Sequence, residues 1–314
     1  MAQEDKIVII CPNERFRKIW EDGLRKKASG FEIQTYPDDT DREETEFILA
    51  FDPPENAFAK YPNLKVVASM GAGVQSILND PSLPEDVQVT KVVQTEHQQD
   101  IAEFVLALCL SHLKNLMVYT QNKSQKLWEP RKYKRAEDTT VGIMGIGAIG
   151  QVIGKLLVKN NFKVTGWSSS KKDIENIQTF HGNNQKEAFL KTANILVCIL
   201  PLTKETEGIL NTSVFETLPK GAYLINVGRG GQLVEKDLLK ALEKGLLSAA
   251  ALDVFQQEPL PENHPFWEEK NIMITPHVAG NTHAELAAED VKRNYKAMKT
   301  GDKLVHVVDR TKGY

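Results

Sequence analysis

An arginine, a glutamate and a histidine stand just beyond three apolar runs in the last third of this sequence. Arg229 follows Tyr223-Leu224-Ile225-Asn226-Val227-Gly228, Glu258 follows Ala251-Leu252-Asp253-Val254-Phe255 and two glutamines, and His277 follows Ile272-Met273-Ile274-Thr275-Pro276. Short apolar runs bounded by turn residues read as buried strands, and in open α/β sheets ligands bind where such strands end. Singly, each residue has an ordinary reading: a surface ion pair, a solvated loop carboxylate, a packed histidine. Together, beside a nicotinamide site, they match what reduction of a 2-oxo acid requires. A guanidinium binds the carboxylate and polarises the carbonyl, an imidazole delivers a proton to its oxygen, and a carboxylate orients the imidazole.

The nicotinamide site is suggested by Gly145-Ile146-Gly147-Ala148-Ile149-Gly150, entered from the apolar run Thr140 to Met144 and left through the amphipathic run Gln151 to Asn160. Strand, tight turn and helix in that order give each glycine a task. The first permits the turn, the second admits a pyrophosphate to the backbone, and the third lets helix meet strand, with the helix N-terminus facing the anion. After the next strand, Lys163 to Trp167, an NAD site would place an acid on the ribose 2′-hydroxyl. This chain has Ser168, then Ser169, Ser170, Lys171 and Lys172. Hydroxyl and ammonium donors suit a 2′-phosphate, so NADPH is expected to be preferred over NADH.

The elements that must carry these residues form two alternating series. The first has strands at Lys6 to Cys11, Phe31 to Tyr36, Phe47 to Phe51, Lys65 to Ser69 and Val87 to Val93, with a helix from Arg15 to Ala28. Within it, Ser69-Met70-Gly71-Ala72-Gly73-Val74 leaves a strand and opens a helix, so its backbone N–H groups suit a small carboxylate; a plain turn reads equally well. Asp100 to Glu103 has capping-box spacing and starts a helix to about Tyr119. A second series of six strands begins at Thr140: Lys163 to Trp167, Asn194 to Leu200, Tyr223 to Val227, Ala249 to Val254 and Ile272 to Thr275 follow. A helix from Thr282 to about Gly301 and a short strand, Leu304 to Val308, close the chain, and this tail is expected to return to the first domain. Between the series, Leu127 and Trp128 sit in a basic, polar segment and need a surface to cover, either a second protomer or a contact of the parent fold.

Composition narrows the classes. With 314 residues, 41% hydrophobic and 26% charged, the chain is long enough for two α/β domains, and a net charge of −3 argues against nucleic acid or an anionic membrane as partner. Cys11, Cys109 and Cys198 lie singly in apolar runs and suggest buried thiols of the cytoplasm, with neither disulfide nor metal site. The charged N-terminus does not read as a signal peptide, and the apolar run Phe104 to Leu110 is too short to span a bilayer.

Nearly the whole chain resembles the D-isomer-specific 2-hydroxyacid dehydrogenases. The marks are Gly145 to Gly150, Leu200-Pro201-Leu202-Thr203, Asn226-Val227-Gly228-Arg229-Gly230, Leu252-Asp253-Val254-Phe255 with Glu258-Pro259, and Thr275-Pro276-His277. The resemblance implies an α/β protein of two doubly wound parallel-sheet domains, a Rossmann nucleotide domain (99–283) inserted in a flavodoxin-like substrate domain (1–98 and 284–314). It implies Arg229 as substrate arginine, His277 as acid/base and Glu258 as its partner, with Leu200, Pro201, Val227 and Asp253 among the cofactor contacts. Leu127 to Pro130, Phe51 to Pro54 and the ending Val308 to Tyr314 are most similar to a group of glyoxylate/hydroxypyruvate reductases. That similarity implies that backbone N–H groups of Met70 to Val74, Gly71, Ala72 and Gly73 among them, bind the substrate carboxylate, and that an aromatic at Phe51 lines the pocket. The group has tryptophan where this chain has Phe51, and arginine where it has Ser169. The readings left are an NADPH-dependent reductase of glyoxylate and hydroxypyruvate, a dehydrogenase of another D-2-hydroxy acid, and a dinucleotide-sensing binding protein of the same fold. A homodimer is expected.

Overall fold

The computed structural model describes residues 5–27, 30–71, 73–93, 95–280 and 283–310. Two compact units divide the chain, one of residues 1–97 and 282–314, the other of residues 98–281.

In the first unit, strands β1 (Asp5–Ile10), β2 (Phe31–Thr35), β3 (Phe47–Ala50), β4 (Val66–Ser69) and β5 (Gln88–Thr90) pair in parallel in the order β2-β1-β3-β4-β5. This is the flavodoxin-like doubly wound order. β3 and β4 are buried throughout, as strands covered on both faces must be. Helix α1 (Glu14–Lys27) and the C-terminal helix Ala284–Thr300 cover one face together: Trp20 and Leu24 meet Ala287, Ala288, Val291 and Tyr295 in one apolar cluster. A Cβ at Gly23 would lie 3.0 Å from the backbone of Ala284, so the absent side chain is what lets the two helices approach. The strand expected at Leu304 to Val308 is reduced to one antiparallel bridge, Val307 to Thr90. The Asn294 side chain takes both backbone groups of Val305, accepting from its N–H at 2.8 Å and donating to its carbonyl at 3.2 Å. The helix expected after Ser69 to Val74 is the single turn α2 (Gln75–Leu78).

The second unit is a seven-stranded parallel sheet of β6 (Thr140–Met144), β7 (Lys163–Ser168), β8 (Gln178–His181), β9 (Ile195–Cys198), β10 (Ala222–Asn226), β11 (Leu247–Leu252) and β12 (Ile272–Ile274). The order β12-β11-β10-β9-β6-β7-β8 is the Rossmann order with one strand added beyond the sixth. Successive residues feed opposite cores: Met144 and Leu224 join one apolar cluster, Ile143 and Ile225 the other. β8 is not legible in the sequence because Gln-Thr-Phe-His is a short, polar edge strand.

Helix α3 (Thr95–Leu113) starts five residues before the expected Asp100. Glu103 does not cap it; its carboxylate accepts from Gln99 Nε2 at 2.9 Å on the helix surface. Nor does α3 reach Tyr119: Asn115 turns left-handed (φ 57°) and begins α4 (Leu116–Ser124), bent by 62° from α3. Among the described residues no single helix is long and apolar enough to cross a membrane.

His112, near the end of α3, lies flat on Tyr223 of β10 with ring centroids 4.0 Å apart. Burial, aided by the charge of Lys134, pushes its pKa down to about 4. The unfolded chain therefore binds a proton near pH 6.5 that the folded chain refuses until about pH 4. This contribution to stability is complete above 6.5 and is lost as pH falls from there toward 4. Denaturant titrations at pH 7 and 4.5 are expected to show a loss of about 2 kcal/mol in the wild type beyond that in His112→Phe, which keeps the stack without the titration. Equal losses in both proteins would remove the effect.

Candidate active site

The glycine turn lies at the switch point of the second sheet, where the strand order reverses between β6 and β9. Gly145 has φ +112°, and a Cβ there would come 2.7 Å from the Ile199 carbonyl; at Gly150 it would come 2.1 Å from the Gly145 carbonyl. At Gly147 it would meet nothing within 4 Å. The first and third glycines are thus demanded by the protein itself, whereas the second opens on unfilled space. Gly147 caps helix α5 (Ala148–Lys159) without a side-chain bond, and the first helical bond runs from Gln151 N–H to the Gly147 carbonyl at 2.9 Å. The N–H groups of Ala148, Ile149 and Gly150 precede that bond, as the first donors of a helix do, and have no acceptor within it. This cradle suits a dinucleotide pyrophosphate.

The other sites expected to hold a cofactor follow neighbouring strand ends. Leu200 and Pro201 come just after β9, Val227 follows β10, and Ser168 ends β7. Ser168 Oγ donates to the Ser170 carbonyl at 2.7 Å, and the Lys172 carbonyl accepts from Thr179 at 2.6 Å, so the serine and lysine loop has a defined shape. Ser169, Ser170 and Lys171 are exposed, and Lys171 makes no ion pair among the described residues.

His277, Glu258 and Arg229 all follow strands of this sheet. His277 Nδ1 lies 2.7 Å from Glu258 Oε2, and the other carboxylate oxygen accepts from Phe255 N–H at 2.9 Å. A carboxylate only accepts, so it assigns the Nδ1 proton to the imidazole. Nε2 has no protein partner among the described residues. Burial by itself raises the Glu258 carboxyl, but the hydrogen bond and charge of His277, the Phe255 N–H and the Arg229 guanidinium outweigh it and hold it below the usual carboxylate range.

Three buried polar side chains hold these loops. Asp253, expected among the cofactor contacts, is 2% exposed and commits both oxygens to the turn that carries His277. Oδ1 accepts from Thr275 Oγ1 at 2.6 Å and from Val278 N–H at 2.9 Å, and Oδ2 from Ala279 N–H at 2.8 Å; its backbone carbonyl takes His277 N–H at 2.9 Å. Asn226 accepts from Gly228 N–H and donates to the Arg229 carbonyl, each at 3.2 Å. Gln232 accepts from Arg229 N–H at 2.9 Å. Neither role is legible in the sequence: Asn226 offers only an amide closing an apolar strand, and Gln232, after two glycines, offers no signal. A Cβ at Gly230 would lie 1.9 Å from the Phe255 carbonyl group, so the arginine loop rests directly on the backbone that carries Glu258.

In the first unit the Phe51 ring covers Gly71, 3.7 Å from where a Cβ would be. Gly71 N–H, expected to face a carboxylate, donates to Ser69 Oγ at 3.2 Å, and that hydroxyl donates on to the Gly73 carbonyl at 2.7 Å. Ala72 lies outside the described residues.

The family model for the D-isomer-specific 2-hydroxyacid dehydrogenase NAD-binding domain matches residues 106–279. The chain belongs to that family. It is 35% identical over 302 residues to a glyoxylate/hydroxypyruvate reductase A of Yersinia enterocolitica, covering 95% of this chain and 96% of the relative. A D-isomer-specific 2-hydroxyacid dehydrogenase of Xanthobacter autotrophicus, solved with NADPH and MES, aligns with a TM-score of 0.91 at 32% identity over 99% of this chain and all of that one. An NADPH-dependent glyoxylate/hydroxypyruvate reductase of Sinorhizobium meliloti, solved with NADP and sulfate, has the same TM-score at 33% identity and the same coverage. As a dehydrogenase of this family the protein is an oxidoreductase of 2-hydroxy and 2-oxo acids that uses a nicotinamide cofactor. The cradle at Gly147, where a Cβ would meet nothing within 4 Å, fits that group.

Proposed function

We propose that this dehydrogenase reduces small 2-oxo acids, glyoxylate and hydroxypyruvate first, with NADPH as donor and His277 as proton source. The observation that carries the reading is the Glu258–His277 pair at 2.7 Å, on strand ends shared with Arg229 and the glycine turn. The relatives named for glyoxylate and hydroxypyruvate support the substrate class.

The bound nicotinamide supplies the hydride; the rest is done by this chain's own groups. Arg229 binds the carboxylate of the 2-oxo acid and polarises its carbonyl. Glu258 fixes the imidazole by its Nδ1 proton, so that Nε2 is the nitrogen that delivers a proton to the carbonyl oxygen. Gly145, Gly147, Ala148, Ile149 and Gly150 hold the pyrophosphate, Leu200, Pro201 and Val227 border the dinucleotide, and Ser168 to Lys171 take the 2′-phosphate. In the first unit, Phe51, Gly71 and Gly73 remain proposed substrate contacts.

The protein acts as a two-fold dimer, which gives Trp128 its surface. Trp128 is 97% exposed and Leu127 44%, yet the arm that bears them is fixed. Asn122 accepts from Leu127 N–H at 3.0 Å, Tyr119 Oη from Arg131 N–H at 2.9 Å, and Asn115 Nδ2 donates to the Lys132 carbonyl at 3.1 Å. An ordered arm holding an indole in water is costly unless a partner covers it. Three buried free thiols suit a reducing compartment, and we place the enzyme in the cytoplasm on that ground.

His277→Asn is expected to lower kcat with glyoxylate by about a hundredfold or more while the Kd for NADPH stays within about threefold. Retention of a tenth of kcat would sink the proton-donor role. For the cofactor, kcat/KM should be higher with NADPH than with NADH, and Ser168→Asp should move the ratio toward NADH by about tenfold. Equal values in the wild type, or no shift in the variant, would refute the preference. Sedimentation at micromolar concentration should give a dimer, and a monomer there would overturn that assignment.

A further inference from the structure

Gln232 is fully buried and uses its whole amide across three segments. Its Nε2 donates to the Leu200 carbonyl at 2.7 Å and to the Pro201 carbonyl at 3.2 Å. Its Oε1 accepts from Arg229 N–H at 2.9 Å and from the Cys198 thiol at 3.4 Å. The fit over the amide is close: a Cβ on Gly228 would lie 2.4 Å from Oε1 and 3.2 Å from the Leu200 carbonyl. Arg229 is the N-terminal flank of a single 3-10 turn, Gly230–Gln232, so its backbone has little regular structure of its own to hold it.

Two carbonyls at the mouth of β9 thus face an amide group that presents its acceptor to Arg229. We infer that Gln232 is a positioning residue for the 2-oxo acid site: it fixes the backbone of Arg229 against the Leu200–Pro201 loop and so sets where the guanidinium meets the substrate carboxylate. The inference rests on the assignment of Arg229 as the substrate arginine. Gln232 itself, fully buried, touches neither substrate nor cofactor. Its removal would leave the Arg229 N–H and the Leu200 carbonyl short of a partner, while the Pro201 carbonyl keeps Thr206 Oγ1 at 2.6 Å, and the arginine loop would move to solvate the groups released.

The chemistry of a carboxyl replacement gives a signature that a packing role lacks. In Gln232→Glu the protonated side chain still accepts from Arg229 N–H and donates one bond to Leu200. Ionised, it keeps the bond from Arg229 N–H but turns the oxygen that replaces Nε2 toward the Leu200 and Pro201 carbonyls, which repel it. Its affinity for the 2-oxo acid should therefore weaken with rising pH where the wild type, whose amide does not titrate, shows no such added step.

The experiment is steady-state kinetics with glyoxylate and saturating NADPH on the wild type, Gln232→Leu, Gln232→Glu, Arg229→Ala and the Gln232→Leu/Arg229→Ala double variant, with NADPH affinity measured separately. Gln232→Leu should raise KM for glyoxylate about tenfold or more while Kd for NADPH moves less than about threefold. The double variant should be no worse than Arg229→Ala alone, because Gln232 acts through that residue. Additive losses in the double variant, or an unchanged KM in Gln232→Leu while Arg229→Ala raises it, would overturn the inference and leave the proposed function standing. An unchanged kcat/KM in Arg229→Ala would instead overturn the proposed function, and the inference with it. Should Gln232→Leu fail to fold, Gln232→Glu decides. A KM ratio to wild type that rises with pH supports the positioning role, and a flat ratio overturns it.

Discussion

Asp253 carries a load out of proportion to its size. Its two oxygens receive three donors and its own carbonyl a fourth, all from the five residues Thr275 to Ala279, and the turn closed in this way holds His277 at φ 53°. Left-handed backbone costs a residue with a side chain about 1–2 kcal/mol. Hydrogen bonds to a carboxyl group return on the order of 1.5–3 kcal/mol each, so the turn is stable although its central residue is strained. Strain of this kind persists where the surroundings over-determine it, and such places cluster at functional sites.

The same constraint runs on through the rim. The turn aims the imidazole at Glu258, whose second oxygen is tied to Phe255 N–H three residues back. The Phe255–Gln256 backbone is in turn the surface on which Gly230 sits, and Gly230 follows Arg229 directly. His277, Glu258 and Arg229 are therefore parts of one contact path. Half-exposed side chains such as His277 and Glu258 hold fixed positions because what lies under them is buried and hydrogen-bonded.

Which of these features a reader of the sequence sees depends on whether the partners are local. The strands that build both sheets stand out because each is an apolar run closed by glycine, proline or a polar residue, and the parallel order follows from their alternation with helices. Arg229, Glu258 and His277 stand out because they follow such runs. β8 does not, since its pairing with β7 supplies the order that its own polar residues do not suggest. The left-handed Asn115 that breaks α3 from α4 is one residue in an otherwise helical pattern. Gln232 is invisible for a different reason: its carbonyl partners lie 32 and 31 residues upstream, a separation that carries no pattern. Ser69 shows the reverse case, a local hydroxyl that takes the N–H assigned to a ligand, as short polar side chains in turns commonly do.

The loop after β7 sets what kind of cofactor selectivity this chain is able to have. Ser168 stands where an acid would reject a 2′-phosphate, but its proton is already given to the Ser170 carbonyl, so the hydroxyl must change partner before it donates to phosphate. Attraction then falls mainly to Lys171, an exposed ammonium on a flexible stem, which binds phosphate as a point charge without the paired geometry of a guanidinium. In water such a charge is screened, and its contribution falls as ionic strength rises. The missing acid removes a repulsion, which by itself admits both cofactors and does not choose between them. The proposed preference for NADPH would therefore rest on Lys171 and would narrow as ionic strength rises.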